Sequence, residues 1–382
     1  MEMVMTQGVS VVEASPVVEE KLPASSRGKR WGRVWTLGRV VPMVGHLFRR
    51  LVGSGNPDHR LETNIVAVRS KLRDHYPIND FDRFGCLRKA DIAREIRAVS
   101  SEKYMGQSGI EDGLVDTFRV AGLPVAVASA RGERPTMEDR HIAVELDLRS
   151  HGIKAPLFAL FDGHGGDDVS QFMQDNFALA LQEKLEELDR LSDLNLWNAF
   201  KMVFVEINEK WRLEGKNNYG GTTALVAIVI NGVLWVANVG DSRAILSLEG
   251  EATQLTEEAR PKEFRYFRGI VKRGGWVWVG RIAGHLAVAR ALGDFDVKGV
   301  TARPKLTKYD LTALKGKNNY LILGCDGLWD VAGTSQVAKF ARHRPVDDTA
   351  EKLVTHAYLN HCGDNVTVMV ADLSENYLKS LF

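Results

Sequence analysis

Three cysteines in 382 residues, Cys86, Cys325 and Cys362, are too few and too scattered for a disulfide framework or a zinc site. Their scarcity fits a reducing compartment, and a cytoplasmic, intracellular location is expected. No C-x5-R segment follows any of them, which argues against a cysteine nucleophile that attacks phosphate. No uncharged apolar run is long enough to span a bilayer, and the N-terminus has no basic stretch leading into an apolar core. An excess of charge of one sign is lacking as well. Lys and Arg total 50 against 49 Asp and Glu, so bulk charge does not point to nucleic acid as a partner. Internal repeats and low-complexity tracts are also missing. What is present, 45% hydrophobic and 26% charged residues, is enough for a sizeable core in one large domain or two ordinary ones.

Charge is uneven along the chain. Residues 1–26 are polar, with Pro16 and Pro23, and read as a mobile tail. Residues 27–60 carry eight Lys or Arg and a single acid, Asp58, with Val34, Leu37, Val41, Val44, Phe48 and Leu51 on one helical stripe that Pro42 would interrupt. Such a segment either docks on an anionic surface, a membrane or an acidic partner, or packs on the folded domain. Residues 61–107 look helical, and Ser108–Gly113 is a junction. The expected division is therefore 1–26 tail, 27–115 extension, basic then helical, and 116–375 folded domain. In that domain, strands are expected at Val125–Ala130, His141–Leu148, Leu157–Phe161, Thr222–Ile230, Val233–Val239, Ala244–Leu248, Tyr320–Gly324 and Val366–Asp372. Helices are expected at Asp168–Leu191, Leu196–Trp211, Gln336–Arg344 and Asp347–Asn360. Asn231-Gly232 is a hairpin turn. Strands in antiparallel runs with helices in separate blocks imply an α+β layered domain.

The most informative stretch is Leu157–Asp168, L-F-A-L-F-D-G-H-G-G-D-D. An apolar strand ends in an acid, a glycine and a histidine, and glycine lets backbone approach whatever Asp162 holds. The alternative is a tight strand-to-helix turn with an Asp as helix N-cap. Three more segments place acids at strand margins: Met137-Glu138-Asp139, Cys325-Asp326-Gly327 and Gly363-Asp364-Asn365. If their strands are neighbours, the carboxylates converge and need cations to neutralise them. Oxygen-only ligands select Mg²⁺ or Mn²⁺, and one such pocket can hold two ions about 3.5–4 Å apart.

These segments resemble the metal-dependent serine/threonine phosphatases of the protein phosphatase 2C type. Matching stretches are R-P-T-M-E-D (134–139), F-D-G-H-G-G (161–166), G-G-T-T-A (220–224), N-V-G-D-S-R-A (238–244), L-A-V-A-R-A-L-G-D (286–294), C-D-G-L-W-D-V (325–331) and G-D-N-V-T-V (363–368), in family order. The resemblance implies a four-layer αββα sandwich with two central antiparallel sheets. It implies Mg²⁺- or Mn²⁺-dependent hydrolysis of phosphoserine and phosphothreonine in proteins, by a water activated between two ions, in a signalling monomer. By the same resemblance, Asp162 bridges the ions, the Gly163 carbonyl ligates one, and Asp326 and Asp364 hold the other. Glu138 and Asp139 act through waters, Arg134 binds the substrate phosphate, and His164 protonates the leaving oxygen. Asp330 matches a carboxylate that helps hold a third, weaker ion. G-G-T-T and G-D-S-R read as structural, with Asp241 and Ser242 buried and hydrogen-bonded.

The chain departs from the family at Leu255–Pro261, L-T-E-E-A-R-P. Glu258 replaces an Asp that serves the third ion, and Ala259 replaces a His. Phe295–Pro304 is a short version of a variable flap. The altered segment motivates the alternative function, a catalytically weak relative that binds phosphoproteins as a scaffold. The complete set of acids with Arg134 and His164 favours the enzyme.

Overall fold

The computed structural model describes residues 115–214 and 219–379. The expected tail, basic stripe, helical stretch and junction, with Cys86, lie outside the described residues. Strands β1 (Val115–Val120), β2 (Leu123–Ala130), β3 (Arg140–Leu148) and β4 (Ile153–Phe161) come first, followed by the two-residue β5 (Gly163–His164). Helices α1 (Asp168–Glu186) and α2 (Asp193–Glu214) intervene before β6 (Gly221–Thr222), β7 (Ala224–Ile230), β8 (Val233–Val239), β9 (Arg243–Leu248) and β10 (Glu251–Gln254). An insertion carries α3 (Phe264–Lys272), β11 (Val277–Trp278), β12 (Arg281–Ile282) and β13 (Leu292–Gly293). The chain closes with β14 (Lys305–Asp310), β15 (Asn319–Gly324), α4 (Asp326–Trp329), α5 (Thr334–Ala341), α6 (Val346–Leu359), β16 (Val366–Asp372) and α7 (Glu375–Leu378).

Two antiparallel sheets dominate, a six-stranded one in the order β1-β2-β16-β15-β9-β10 and a five-stranded one in the order β14-β8-β7-β4-β3. Period-2 alternation sends each strand's side chains to different layers. In β4, Phe158 and Leu160 meet Val125, Val127 and Met369 of the other sheet in the central core, while Leu157, Ala159 and Phe161 turn outward under α1 and α2. In β2, Ala126, Ala128 and Ala130 face the opposite way and pack with Val337, Phe340 and Leu353 of α5 and α6. Both faces of the central strands are thus covered, which is why β4, β7, β8, β15 and β16 read as apolar runs, whereas the outer strands β1, β3, β10 and β14 mix polar residues and are partly exposed. Each fully buried Phe or Leu here contributes about 1.5–3 kcal/mol. Helix α1 earns its place by spacing: Val169, Phe172, Met173, Phe177, Leu181 and Leu185 recur every three or four residues and are all buried. The layers are αββα, as the sequence led one to expect.

Register fixes where the chemistry collects. Arg140 pairs with Phe161, Ala224 with Val239, and Gly324 with both Arg243 and Val368. The residues just beyond these pairs, Asp139, Asp162, Asp241, Asp326 and Asp364, therefore all leave the sandwich at the same end, some from each sheet. The Asn231-Gly232 turn has φ of 48° and 76°, the left-handed pair that suits a two-residue hairpin. The helix that follows, α1, does have an Asp at its N-cap, Asp167, whose side chain makes no capping hydrogen bond, while Asp162 is separated from it by β5.

Candidate active site

Asp162 leaves β4 at the end of its most buried stretch, and its position is tied to β6–β7. Its backbone N–H donates to Thr223 Oγ1 at 3.2 Å and its carbonyl accepts from Thr223 N–H at 2.9 Å. Thr223 Oγ1 is also 3.0 Å from Ser242 Oγ, so the G-G-T-T and G-D-S-R segments brace each other across the sheets. Gly163 is needed for close approach. A Cβ there would lie 2.5 Å from the Glu138 carbonyl oxygen and 2.8 Å from Ser170 Oγ. The same Ser170 hydroxyl donates to that carbonyl at 2.6 Å and fixes the Glu138–Asp139 backbone. On the other side, Asn365 Oδ1 accepts from Glu138 N–H at 2.7 Å, so the loops before β3 and β16 hold each other.

Five carboxylates meet at this rim. Asp162, Asp241 and Asp326 offer ligand atoms that lie within 4.8 Å of one another, and Asp139, Asp162 and Cys325 form a second such group. Asp162 is common to both. Burial pushes the Asp139 carboxyl up to about 6, against hydrogen bonds from Thr367 and Cys325 and with help from the Asp364 charge. Burial also lifts Asp162 well above the ordinary carboxylate range, with Asp326, Asp139, Asp241 and Asp364 adding repulsion. Asp326 is raised in the same way by burial and by Asp241, Asp364 and Asp330. Asp364 is raised by burial in spite of Arg134, which donates to its Oδ2 at 2.7 Å. Asp139 Oδ2 accepts from Thr367 at 2.8 Å, whereas its buried Oδ1 has no hydrogen-bond partner. Oxygen donors that repel one another, with an orphaned oxygen among them, fit hard divalent cations.

Beside the acids is a cleft of about 620 Å³, lined by seven aspartates, Arg134, Arg281, His164 and His285 among others. Glu138 stays at its margin, with Oε1 accepting from Thr136 Oγ1 at 2.7 Å and Oε2 from Gly166 N–H at 3.2 Å. Arg134 is half exposed and reaches Asp364 and the Gly363 carbonyl, so a cation on Asp364 would compete for the carboxylate that now holds it.

More than half of the 382 residues, 124–366, match the family model described as Protein phosphatase 2C. The chain belongs to the protein phosphatase 2C family. It is thus an enzyme of the serine/threonine phosphatase class, and phosphoproteins are its class of substrate. A probable protein phosphatase 2C of Caenorhabditis elegans is 34% identical over 272 residues, spanning 65% of this chain and 74% of that protein. Protein phosphatase 1L of Bos taurus is 29% identical over 290 residues, spanning 71% and 78%. A crystal structure of a Toxoplasma gondii phosphatase shares the fold, with a TM-score of 0.55, 22% identity, and coverage of 68% of this chain and 95% of that one.

Two residues of this protein phosphatase 2C site were not singled out in the sequence. Asp241 was read as structural, but its carboxyl is buried, raised to about 6 chiefly by burial, and belongs to the acidic group. The signal was available, since Val233–Val239 followed by Gly240-Asp241 is one more strand ending in an acid. Asp294 is the other. Its carboxylate lies 2.8 Å (Oδ2) and 3.0 Å (Oδ1) from His164 Nε2 and is almost wholly buried. Burial of the imidazole works against its charged form. The Asp294 hydrogen bond and charge, with Asp241 and Glu138 beyond, outweigh it and hold His164 above its ordinary 6.5. Asp294→Asn is therefore expected to lower the His164 pKa. If His164 works as an acid, the alkaline limb of kcat against pH moves to lower pH in that variant, while the acid limb stays. An unmoved alkaline limb counts against this pairing.

Glu258 lies between two guanidinium groups. Its Oε1 accepts from Arg243 Nε at 2.9 Å and its Oε2 lies 2.8 Å from Arg260 Nε. Asp330, which the family resemblance placed with a third ion, is more than half exposed and accepts from Arg260 Nη2 at 3.2 Å.

Proposed function

We propose that this protein removes phosphate from phosphoserine and phosphothreonine in proteins, with two Mg²⁺ or Mn²⁺ ions held by the strand-end carboxylates. The observation that carries this reading is the meeting of Asp139, Asp162, Asp241 and Asp326 in one buried rim, with Asp162 common to both ligand groups. In this reading Asp162 is the shared ligand, the Gly163 carbonyl and Asp139 serve one side, and Asp326 and Asp364 the other, with Glu138 acting through water. Bound there, the ions neutralise the phosphate dianion and bring a water into the range where it serves as nucleophile at neutral pH.

The chain's own residues do the rest. Arg134, at the cleft mouth, presents a planar fork of donors to the phosphate oxygens. His164 gives the leaving seryl or threonyl oxygen its proton, and Asp294 keeps the ring charged and aimed. Thr223 keeps the Asp162 backbone in place, and Asp241 adds a carboxylate to the group that Asp162 shares with Asp326. Neither Ser nor Cys is needed as nucleophile, and Cys325 is buried with its thiol pushed well above its ordinary range by burial and by Asp139, Asp162 and Asp326.

The decisive experiment is release of phosphate from a phosphothreonine peptide by the full chain with Mn²⁺, with Mg²⁺ and with excess chelator. Release with either ion and none with chelator is expected. Binding of the phosphopeptide without release under any of these conditions would instead support the scaffold reading, which the altered Leu255–Pro261 segment favours.

A further inference from the structure

The departure at Leu255–Pro261 has a structural counterpart. Ala259 is buried, its N–H donates to the Gly240 carbonyl at 2.8 Å, and its own carbonyl accepts from Ala289 N–H at 2.6 Å. Pinned on both sides, this backbone delivers Glu258 and Arg260 to the Gly240-Asp241-Ser242 turn. Arg260 Nε is 2.8 Å from Glu258 Oε2 and 3.8 Å from Asp241 Oδ2, and Nη2 donates to Asp330 Oδ1 at 3.2 Å. Arg243 takes the other oxygen of Glu258, and its guanidinium is stacked over the Trp329 ring, 4.8 Å from the centroid. The side chains of Arg243, Glu258 and Arg260 are 15%, 19% and 26% exposed, so these are not the freely solvated pairs that contribute little.

We propose that the Arg260 guanidinium is a built-in cation that fills the acidic position between Glu258, Asp241 and Asp330, and so limits this protein to two bound ions. A third ion there does not fit the residues present. An octahedral Mg²⁺ needs oxygens at about 2.0–2.1 Å. An ion bridging Asp330 and Glu258 at that distance would sit against the guanidinium nitrogens that now touch both. It would also meet a fixed like charge, because arginine stays protonated throughout the accessible pH range. Both oxygens of Glu258 lie against guanidinium groups, Oε1 accepting from Arg243 Nε and Oε2 at ion-pair distance from Arg260 Nε, which has no hydrogen-bond partner. The extra methylene that separates it from Asp is what lets it reach back between Arg243 and Arg260. The charge at this position thus belongs to the fold and does not depend on the concentration of free Mg²⁺.

The inference rests on the two-ion reading of the core, and the experiment separates the two. Mn²⁺ is titrated into the full chain, with bound ions counted by calorimetry and free Mn²⁺ by electron paramagnetic resonance. The wild type is expected to bind two ions, and Arg260→Gln three, the third at least tenfold weaker than the others. Arg260→Lys keeps the charge and should stay at two. Asp330→Asn, which leaves Arg260 intact, should also stay at two. In steady-state assays, Mg²⁺ dependence should saturate in one phase for the wild type and show a second, higher-concentration phase for Arg260→Gln. Three ions in the wild type, two in Arg260→Gln, or a count lowered by Asp330→Asn overturns the proposal. No ion bound by the wild type would instead overturn the two-ion reading of the core. If Arg260→Gln does not fold, the wild-type, Arg260→Lys and Asp330→Asn counts still decide.

Discussion

Replacing Asp162 by asparagine is expected to abolish phosphate release and, at the same time, to make the metal-free protein more stable. The two effects share one cause. Asp162 sits at the centre of buried carboxylates that raise one another's pKa values. The sign follows from linkage. A carboxyl whose pKa is higher in the folded than in the unfolded chain favours folding below the unfolded value, near 3.8, and that contribution is lost as pH rises through the folded value, about 6 for Asp139 and Asp241. For Asp139 alone the shift corresponds to a penalty on the order of 3 kcal/mol above pH 6. The wild type without metal should therefore melt lower at pH 7.5 than at pH 5. Asp162→Asn removes the charge that the other acids face and should raise the pH 7.5 melting temperature, by about 2–4 °C per kcal/mol in a domain of this size. Metal should stabilise the two proteins unequally. In the wild type, an ion at about a hundred times its Kd adds about 2.7 kcal/mol, whereas the variant has lost the shared ligand and should gain much less. Thermal melts with chelator at the two pH values, followed by Mn²⁺ calorimetry, measure all of this. A variant that melts below wild type at pH 7.5, or binds two ions with wild-type affinity, removes Asp162 from the centre of the site.

His164→Ala is expected to lower kcat by about 10²–10⁴-fold on a phosphoserine or phosphothreonine peptide, the usual share of general acid catalysis. The loss should be much smaller on p-nitrophenyl phosphate, whose phenolate departs without a proton. The contrast matters more than either number. His164 lies next to Gly163 and pairs across β5–β6 with Gly221, so a variant that merely disturbed the metal rim would slow both substrates alike. Equal losses would identify His164 as a structural residue. The Asp294→Asn profile described above supplies a second reading of the same proton, because it alters the charge beside the ring without removing the ring.

The sequence alone determined the α+β layering and the acids at strand margins, while the four-layer order and the role of each acid entered through the family resemblance. Strands with apolar residues at every position need cover on both faces, and the segregated helices with three-to-four spacing supply it. This is local chemistry, visible in Leu157–Phe161, Val366–Asp372 or Val169–Leu185. The strand-end acids were legible for the same reason, since an Asp directly after a buried strand has nowhere to go but the rim. Glycine at 163 was legible as a place of close approach, and the fold shows the Glu138 carbonyl that requires it. Convergence was decided by register. Asp139, Asp162, Asp326 and Asp364 are up to 225 residues apart, and only the pairing of Arg140 with Phe161 and of Gly324 with Val368 puts them at one end. Asp241 was missed because a buried Asp in a turn reads the same whether its neighbours are backbone amides or other carboxylates. Asp294 was missed because its partner His164 is 130 residues away. Arg260 is the sharpest case. In the sequence it is one basic residue next to a proline, and an acid two positions earlier looks like a displaced metal ligand. In the tertiary structure the bonds from Ala259 to Gly240 and Ala289 hold this backbone so that Glu258 lies between Arg243 and Arg260, and Arg260 comes within 3.8 Å of Asp241.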